Sequence, residues 1–230
     1  ILRYEETDST VLRAKALIGG GEDLVVTAVR QTGGMGTKGR SFASEEGGVY
    51  LTRLTFYENF PASDAFKIMA GASVAVCRTV EKFGLVPCIK WPNDVYVADK
   101  KICGILIENT FSGNRISSSV VGIGVNIGKP DFPEEIADIA GALSGGTQLK
   151  FKLFEEIRVN FFASLNEAPQ KLISYCTEKS YVIGKKIRYF GAADGFGTAA
   201  GLAENGGLIV DGDGGERIIL TGGEISVRME

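Results

Sequence analysis

The 230-residue chain contains no histidine. That absence removes Ser-His-Asp triads, Cys-His nucleophile pairs and His-ligated zinc together. Any chemistry falls to Lys, Arg, Asp, Glu, backbone amides or a metal that arrives with a substrate. Cysteine is sparse. Cys77, Cys88, Cys103 and Cys176 show no Cys-x-x-Cys spacing, so reduced and mostly buried thiols are expected. No apolar run approaches the roughly 20 residues that span a bilayer. The opening ILRYEETDST lacks a basic start followed by an apolar stretch, so no signal peptide is expected. Excess positive charge is missing as well: 25 Lys and Arg face 28 Asp and Glu, for a formal net charge of -3. This argues against coating nucleic acid and leaves room only for a local basic loop. With 44% hydrophobic and 23% charged residues, a soluble cytoplasmic globular chain is expected.

What is present organises into alternating strands and helices. Residues 23–30, DLVVTAVR, form a β-branched run between turn residues and predict a strand, as do residues 48–55. Across residues 63–83, Phe66, Met69, Ala70, Val74, Cys77 and Val80 recur at helical spacing. They predict one long helix capped by Ser63 and closed by Gly84. A strand then ends at IKWPND. Residues 95–98 and 101–108 predict a hairpin around Asp99-Lys100, and residues 119–127 predict a strand interrupted by two glycines. Periodicity predicts helices over 133–143, 151–165 and 169–179. Beyond Tyr181, short strands alternate with Gly, Asn and Asp turns, the texture of a small all-β barrel. The expected fold is a mixed α/β (α+β) body over residues 1–180 followed by a β module over 181–230.

Five stretches carry candidate chemistry. The first is QTGGMGTKGR, with Gly34-x-Gly36-x-x-Gly39 at dinucleotide-loop spacing. A Rossmann loop must lead into a helix, and here a polar turn and a strand follow. A Walker loop ends in Gly-Lys-Ser/Thr, which Gly36-Thr37-Lys38-Gly39 does not supply. An anion cradle remains: Gly33, Gly34, Gly36 and Gly39 permit positive φ, while Lys38 and Arg40 add charge. A flexible connection with solvated charges serves the loop equally well. The second is KWPND, Lys90 to Asp94, where the sole Trp stands beside a cation, an amide and a carboxylate. It suits a planar group or nucleotide held near a charged centre, or simply a strand-ending turn. The third is KICGILIE, where Lys101 at the mouth of a buried strand can meet developing negative charge and Gly104 leaves room. An edge lysine in water is the alternative. The fourth is GIGVN: Gly122 and Gly124 weaken an apolar strand unless something packs there, and Asn126 can read a base edge. The fifth is Asp8-Ser9-Thr10, equally a helix N-cap for residues 11–17.

DST, QTGGMGTKGR, KWPND, KKICGILIE, GIGVNI and the terminal GGEIS, in this order and at these separations, resemble the biotin–protein ligase family over residues 4–228. The resemblance implies a class II synthetase/lipoate-ligase-like mixed sheet plus an SH3-like C-terminal barrel. It implies that biotin and ATP give biotinoyl-5′-AMP and pyrophosphate. The biotinoyl group then passes to one lysine of the carrier domain of a biotin-dependent carboxylase. It assigns Ser9, Thr10 and Gln31 to the ureido ring. Gly34, Met35, Gly36, Thr37, Gly104, Gly122 and Gly124 are assigned to the biotin slot, and Lys101 to the carboxylate and α-phosphate. For ATP it assigns Lys38, Arg40, Lys90, Trp91, Asn93 and Asp94, with Phe42 covering the adenine side and Asn126 reading the base. Lys101, Arg40 and Asp94 are the catalytic set, Asp94 helping to deprotonate the incoming lysine, and Arg228 is a further candidate for the phosphates. Mg²⁺ is expected with ATP rather than in a protein cage. A homodimer is compatible. The chain as given begins at the catalytic domain and is expected to be monofunctional, without an N-terminal DNA-binding domain.

Two departures stand out. The usual loop reads Gly-Arg-Gly-Arg-x-Gly-Arg, and here Met35 and Thr37 replace two arginines. The usual Asp-Ser-Thr-Asn ends here in Val11. Looser retention of the adenylate is the expectation. A lipoate or octanoate ligase and a non-catalytic biotin sensor are the competing readings.

Overall fold

The computed structural model describes residues 1–190, 194–221 and 226–229. A seven-stranded sheet runs in the order β1-β2-β3-β7-β6-β5-β4. Its strands are β1 (Leu2–Thr7), β2 (Leu24–Gln31), β3 (Val49–Pro61), β4 (Pro87–Lys90), β5 (Asp94–Val97), β6 (Lys100–Ser112) and β7 (Arg115–Val125). β1 lies parallel to β2; the other neighbours are antiparallel.

Strand periodicity divides the sheet into two faces. Val49 and Leu51 of β3, Cys103 and Ile105 of β6, and Val121, Ile123 and Val125 of β7 point into the main core. There they meet α2 (Ala65–Glu81), α4 (Thr147–Leu165) and α5 (Pro169–Glu178). The opposite face carries α1 (Thr10–Lys15) on a smaller cluster of Val11, Ala14, Val26, Leu54 and Val120. Gly122 and Gly124 share that second face with Val120. The missing side chains therefore leave the sheet low on the face away from the main core.

Most predicted elements are present with shifted ends. The β3 strand continues past residue 55 through an irregular pairing between Phe56 and Phe60. Helix α2 begins at Ala65, and Ser63 does not cap it. Helix α4 starts at Thr147, four residues before the expected 151. The helix expected over 133–143 is corrected: only α3 (Glu134–Ala137) is helical. Beyond it the backbone bonds to the sheet instead, through Lys101 N–H to Ile139 O (2.8 Å), Gly141 N–H to Lys101 O (2.9 Å) and Leu143 N–H to Asn126 O (2.9 Å). Those long-range bonds satisfy peptide groups that a further helical turn would have paired internally. They make residues 139–143 a strap across the start of β6 and the end of β7.

The C-terminal segment forms a five-stranded antiparallel sheet, β11-β10-β9-β8-β12. Its strands are β8 (Lys186–Phe190), β9 (Gly195–Leu202), β10 (Leu208–Gly212), β11 (Arg217–Leu220) and β12 (Ser226–Met229). Among the described residues no pairing joins β11 to β12. Four of the five residues of GGEIS, 222–225, lie outside the described residues. The small core of this sheet holds Val182, Ile187, Tyr189, Ala199, Leu208, Val210 and Leu220, and Trp91 from the turn between β4 and β5 joins it. The indole N–H donates to Gly206 O at 3.0 Å. Trp91→Phe strands that buried carbonyl, so a loss of about 1–2 kcal/mol of unfolding free energy is expected in urea denaturation. An unchanged midpoint and slope would mean that the bond contributes nothing.

The four cysteines are free, with Cys77, Cys103 and Cys176 buried. Burial pushes the Cys176 thiol up to about 12, and those of Cys77 and Cys103 also upward, which keeps them unreactive. Among the described residues no helix is long and apolar enough to cross a membrane.

Candidate active site

The second face of the sheet holds a polar cluster at one end and a charged cluster at the other, with the low glycine stretch between them. At the polar end Gln31, the last residue of β2, accepts from Thr10 N (2.8 Å) and Thr10 Oγ1 (2.9 Å) through Oε1. Its Nε2 donates to Ser44 Oγ at 2.8 Å. Thr52 of β3 donates to Thr10 Oγ1 at 2.9 Å. Thr10, Ser44 and Thr52 are buried, so these hydroxyls and the amide form a fixed pattern of donors and acceptors for a small polar ring. Ser9 caps α1, accepting from Val11 N (3.2 Å) and Leu12 N (3.5 Å), and Asp8 receives Ser9 N (2.7 Å) and Thr7 Oγ1 (2.9 Å). Those bonds hold the Asp8 carboxyl below its ordinary value.

The middle is set by register. Gly124 lies directly opposite both Gly104 on β6 and Tyr50 on β3, while Gly122 lies opposite Leu106 and Thr52. Phe42 packs over Gly104 and Gly124. Val11 packs over Gly122, where an added Cβ would come within 2.6 Å of Val11 Cγ2.

At the charged end Lys101 and Asp94 form an ion pair at 2.7 Å, each side chain about a quarter exposed (28% and 22%). Asp94 is held by its place in β5, paired with Lys90 on one side and Gly104 on the other. The strap grips Lys101 by both backbone groups. Lys90 lies behind the pair with Nζ 5.5 Å over the Tyr96 ring, which stacks on Tyr181 at 4.9 Å. Burial first, then the fields of Lys101, Arg228 and Arg40, hold the Lys90 ammonium below its ordinary pKa against the opposing pull of Asp94. Cations from the glycine loop, β6 and β12 therefore lie close enough to Lys90 of β4 to act on it, which makes this end of the face positive.

The glycine loop is a compact hairpin. Gly36 N–H donates to Arg40 O (2.7 Å), Phe42 N–H donates to Gly34 O (2.8 Å), and Met35 bridges to Ser41. Lys38 and Gly39 adopt positive φ of 59° and 70° at its tip. Arg40 donates to Thr37 O (3.2 Å) and Thr37 Oγ1 (3.0 Å). The Met35 side chain packs against the apolar cluster beneath α1.

The structure thus gathers Thr10, Gln31, Phe42, Gly104, Gly124, Lys101, Asp94, Lys90 and Arg40 along one face. Three other expected site residues are placed differently. The Trp91 ring is 6% exposed inside the C-terminal core, with its N–H already bonded, and presents no face to a planar ligand. Asn93 is buried and gives its amide N–H to Ile105 O at 2.7 Å, bracing β6. Asn126 gives its own to Gly141 O at 3.0 Å, latching the strap. Thr52 and Ser44 were not among the expected site residues. A threonine in a strand and a serine in a loop carry no local signal; the packing of α1 on β3 brings Thr52 to Thr10, and the return of the loop brings Ser44 to Gln31.

Residues 9–126 match the biotin/lipoate A/B protein ligase family, and residues 186–228 match the biotin protein ligase C terminal domain. The chain is 36% identical over 126 residues to the bifunctional ligase/repressor BirA of Bacillus subtilis. That match covers 54% of this chain and 39% of the relative, so the chain spans well under two thirds of that relative's length. A biotin--[acetyl-CoA-carboxylase] ligase of Mycobacterium tuberculosis is 26% identical over 237 residues, covering 96% of this chain and 86% of the relative. Among solved structures, the biotin protein ligase of Aquifex aeolicus in complex with biotin and ATP superposes with a TM-score of 0.80. It is 26% identical and covers 100% of this chain and 98% of its own.

Proposed function

The chain belongs to the biotin/lipoate A/B protein ligase family, and on that footing we propose that it is an ATP-dependent biotin–protein ligase. It joins biotin to AMP and passes the biotinoyl group to a lysine of a biotin carboxyl carrier domain of a carboxylase. The observation that carries the reading is the ion pair of Lys101 and Asp94 at 2.7 Å, separated from the Thr10-Gln31-Thr52 cluster by the glycine stretch that Phe42 and Val11 cover; with biotin bound, that stretch floors a channel.

The polar cluster holds the ureido ring, with Ser9 at its edge, and the channel holds the apolar tail. Gly34, Met35, Gly36 and Thr37 close the loop side of the channel. The carboxylate then lies at Lys101. One carboxylate oxygen attacks the α-phosphorus, and the bond from that phosphorus to the pyrophosphate oxygen breaks. Lys101 and Arg40, with Lys90, Lys38 and Arg228 around them, stabilise charge that two anions would otherwise repel. In the second step the amine of the carrier lysine attacks the acyl carbon and AMP leaves. Asp94 takes the amine's proton. Asn126 reads the adenine through its amide oxygen.

Magnesium fits this donor set as an ion carried mainly by the nucleotide. Asp94 would be the nearby carboxylate, with the substrate phosphates and water the other oxygen donors. When bound, it would screen phosphate charge.

We further propose that residues 1–180 and 181–230 act as separate domains, the second an SH3-like barrel, in a cytoplasmic protein. The β1 edge of the sheet, where Leu2 is 41% exposed, suits pairing with a second copy.

The test measures ATP-dependent pyrophosphate release with biotin, and label transfer to a carrier domain. Release that requires biotin, with label on the carrier, is the expected result. Thermal stabilisation by lipoate but not biotin would assign a lipoate-type enzyme instead. Biotin binding without pyrophosphate release would leave a sensor on this scaffold.

A further inference from the structure

We propose that the Phe42 ring is a resident of the biotin slot itself and sets the apparent affinity for biotin, a role apart from covering the nucleotide; the proposal rests on the biotin-ligase reading. Gly104 and Gly124 face each other across β6 and β7. A Cβ on Gly124 would lie 2.5, 2.9 and 3.0 Å from Phe42 Cε1, Cζ and Cδ1. A Cβ on Gly104 would lie 3.0 and 3.2 Å from Cε2 and Cδ2 of the same ring. One edge of the ring sits over each glycine, so the ring bridges the pair in the space that two absent side chains leave. The Lys101 side chain flanks it, its Cε 3.4 Å from the same Gly104 position. A bound molecule cannot occupy that surface at ordinary contact distance while the ring is there.

The ring is also wired to the polar end of the slot. Ser44 Oγ donates to Phe42 O at 2.8 Å, Gln31 Nε2 donates to Ser44 Oγ at 2.8 Å, and Gln31 Oε1 accepts from Thr10. The side chains that would grip a ureido ring are thus the ones that hold the Phe42 backbone. A ligand that takes hydrogen bonds from Gln31 and Thr10 draws on the same chain that fixes the plug. Phe42 is half-buried, so the ring has room to swing out of the slot.

Biotin binds only the fraction of molecules in which the ring has left. If that fraction is roughly a tenth, the apparent affinity is about tenfold weaker than the slot's own. The experiment titrates biotin calorimetrically, without nucleotide, into the native chain, Phe42→Ala and Phe42→Leu, with thermal melts to establish that each variant is folded. Phe42→Ala is expected to bind biotin about tenfold more tightly, with Phe42→Leu between the two. Biotin binding to the variants alone supports the proposal in its strong form. Equal or weaker binding by both variants beside a native chain that binds biotin overturns it and leaves the ligase reading intact. No biotin binding by any of the three overturns the ligase reading and this proposal with it.

Discussion

Lys101→Ala is expected to lower biotin-dependent pyrophosphate release by about 10²–10³-fold at saturating substrates, the scale seen when one preorganised group facing transition-state charge is removed. The geometry supports a value at the upper end. The β6 strand begins at Lys100, and the strap bonds Lys101 on both backbone groups, so the side chain leaves a fixed point. Its ammonium is already paired with Asp94 at 2.7 Å, so little reorganisation is required when charge develops on the phosphate. The residue is partly exposed, and losing it costs little fold stability. The loss should fall on kcat more than on the binding of biotin, because the Thr10-Gln31-Thr52 cluster remains to grip the other end. Thermal stabilisation by biotin that survives in Lys101→Ala, beside a collapse of pyrophosphate release, separates the two functions. A variant within threefold of the native rate would remove Lys101 from the chemistry. Lys101→Arg is the informative companion. It keeps the charge but replaces a compact ammonium with a planar fork that prefers Asp94, so only part of the rate should return.

Much of the sheet was legible because short apolar, β-branched runs bounded by turn residues favour strands. Residues 23–30 were readable as a β-branched run between turn residues, and the second half of β7 as an apolar run broken by two glycines, both buried on more than one face; α2 carries an apolar stripe long enough to identify without help. Gly122 and Gly124 were also readable as places where something approaches a strand. The sequence could not say what approaches them, and two of the occupants, Val11 and Phe42, belong to the chain itself. Three misreadings share one physical cause. The helix expected over 133–143 gave way to a strap because its peptide groups bond to Lys101 and Asn126, a competition no local window contains. Trp91 looked like a ligand platform because its neighbours in sequence are charged. Its partner in space is Gly206, 115 residues away, and packing consumed both the ring and the N–H. Asn93 was expected beside the phosphates, yet its amide nitrogen braces β6; the nitrogen of Asn126 latches the strap, which leaves its amide oxygen for a base. In every case long-range satisfaction of buried polar groups decided where the groups were used.

Thr37→Arg is expected to slow dissociation of biotinoyl-AMP by about thirtyfold. One charge-assisted hydrogen bond contributes about 2 kcal/mol, and that converts to roughly this factor in a rate of escape. The structure explains why position 37 is the one to change. At position 35 the side chain is engaged in the cluster beneath α1, so an arginine there would have to give up that packing or bury its charge. Thr37 stands at the tip of the hairpin, beside the positive-φ pair Lys38 and Gly39, where a guanidinium can be added at no cost in packing. The native threonine also tethers Arg40 through its carbonyl and hydroxyl at 3.2 and 3.0 Å, so the replacement frees the Arg40 side chain from its hydroxyl contact. Thr37→Val serves as the control, since it removes the hydroxyl tether and adds no charge. Label trapped as the adenylate in a single turnover, followed as it leaves the protein, gives the rate directly. Equal rates for the native chain and Thr37→Arg would mean that the existing cations already hold the adenylate as well as the arginine-rich loop does. The gain should appear in retention and not in transfer to the carrier lysine. A guanidinium that grips the adenylate and the transition state of transfer equally deepens both wells by the same amount and leaves the barrier between them unchanged.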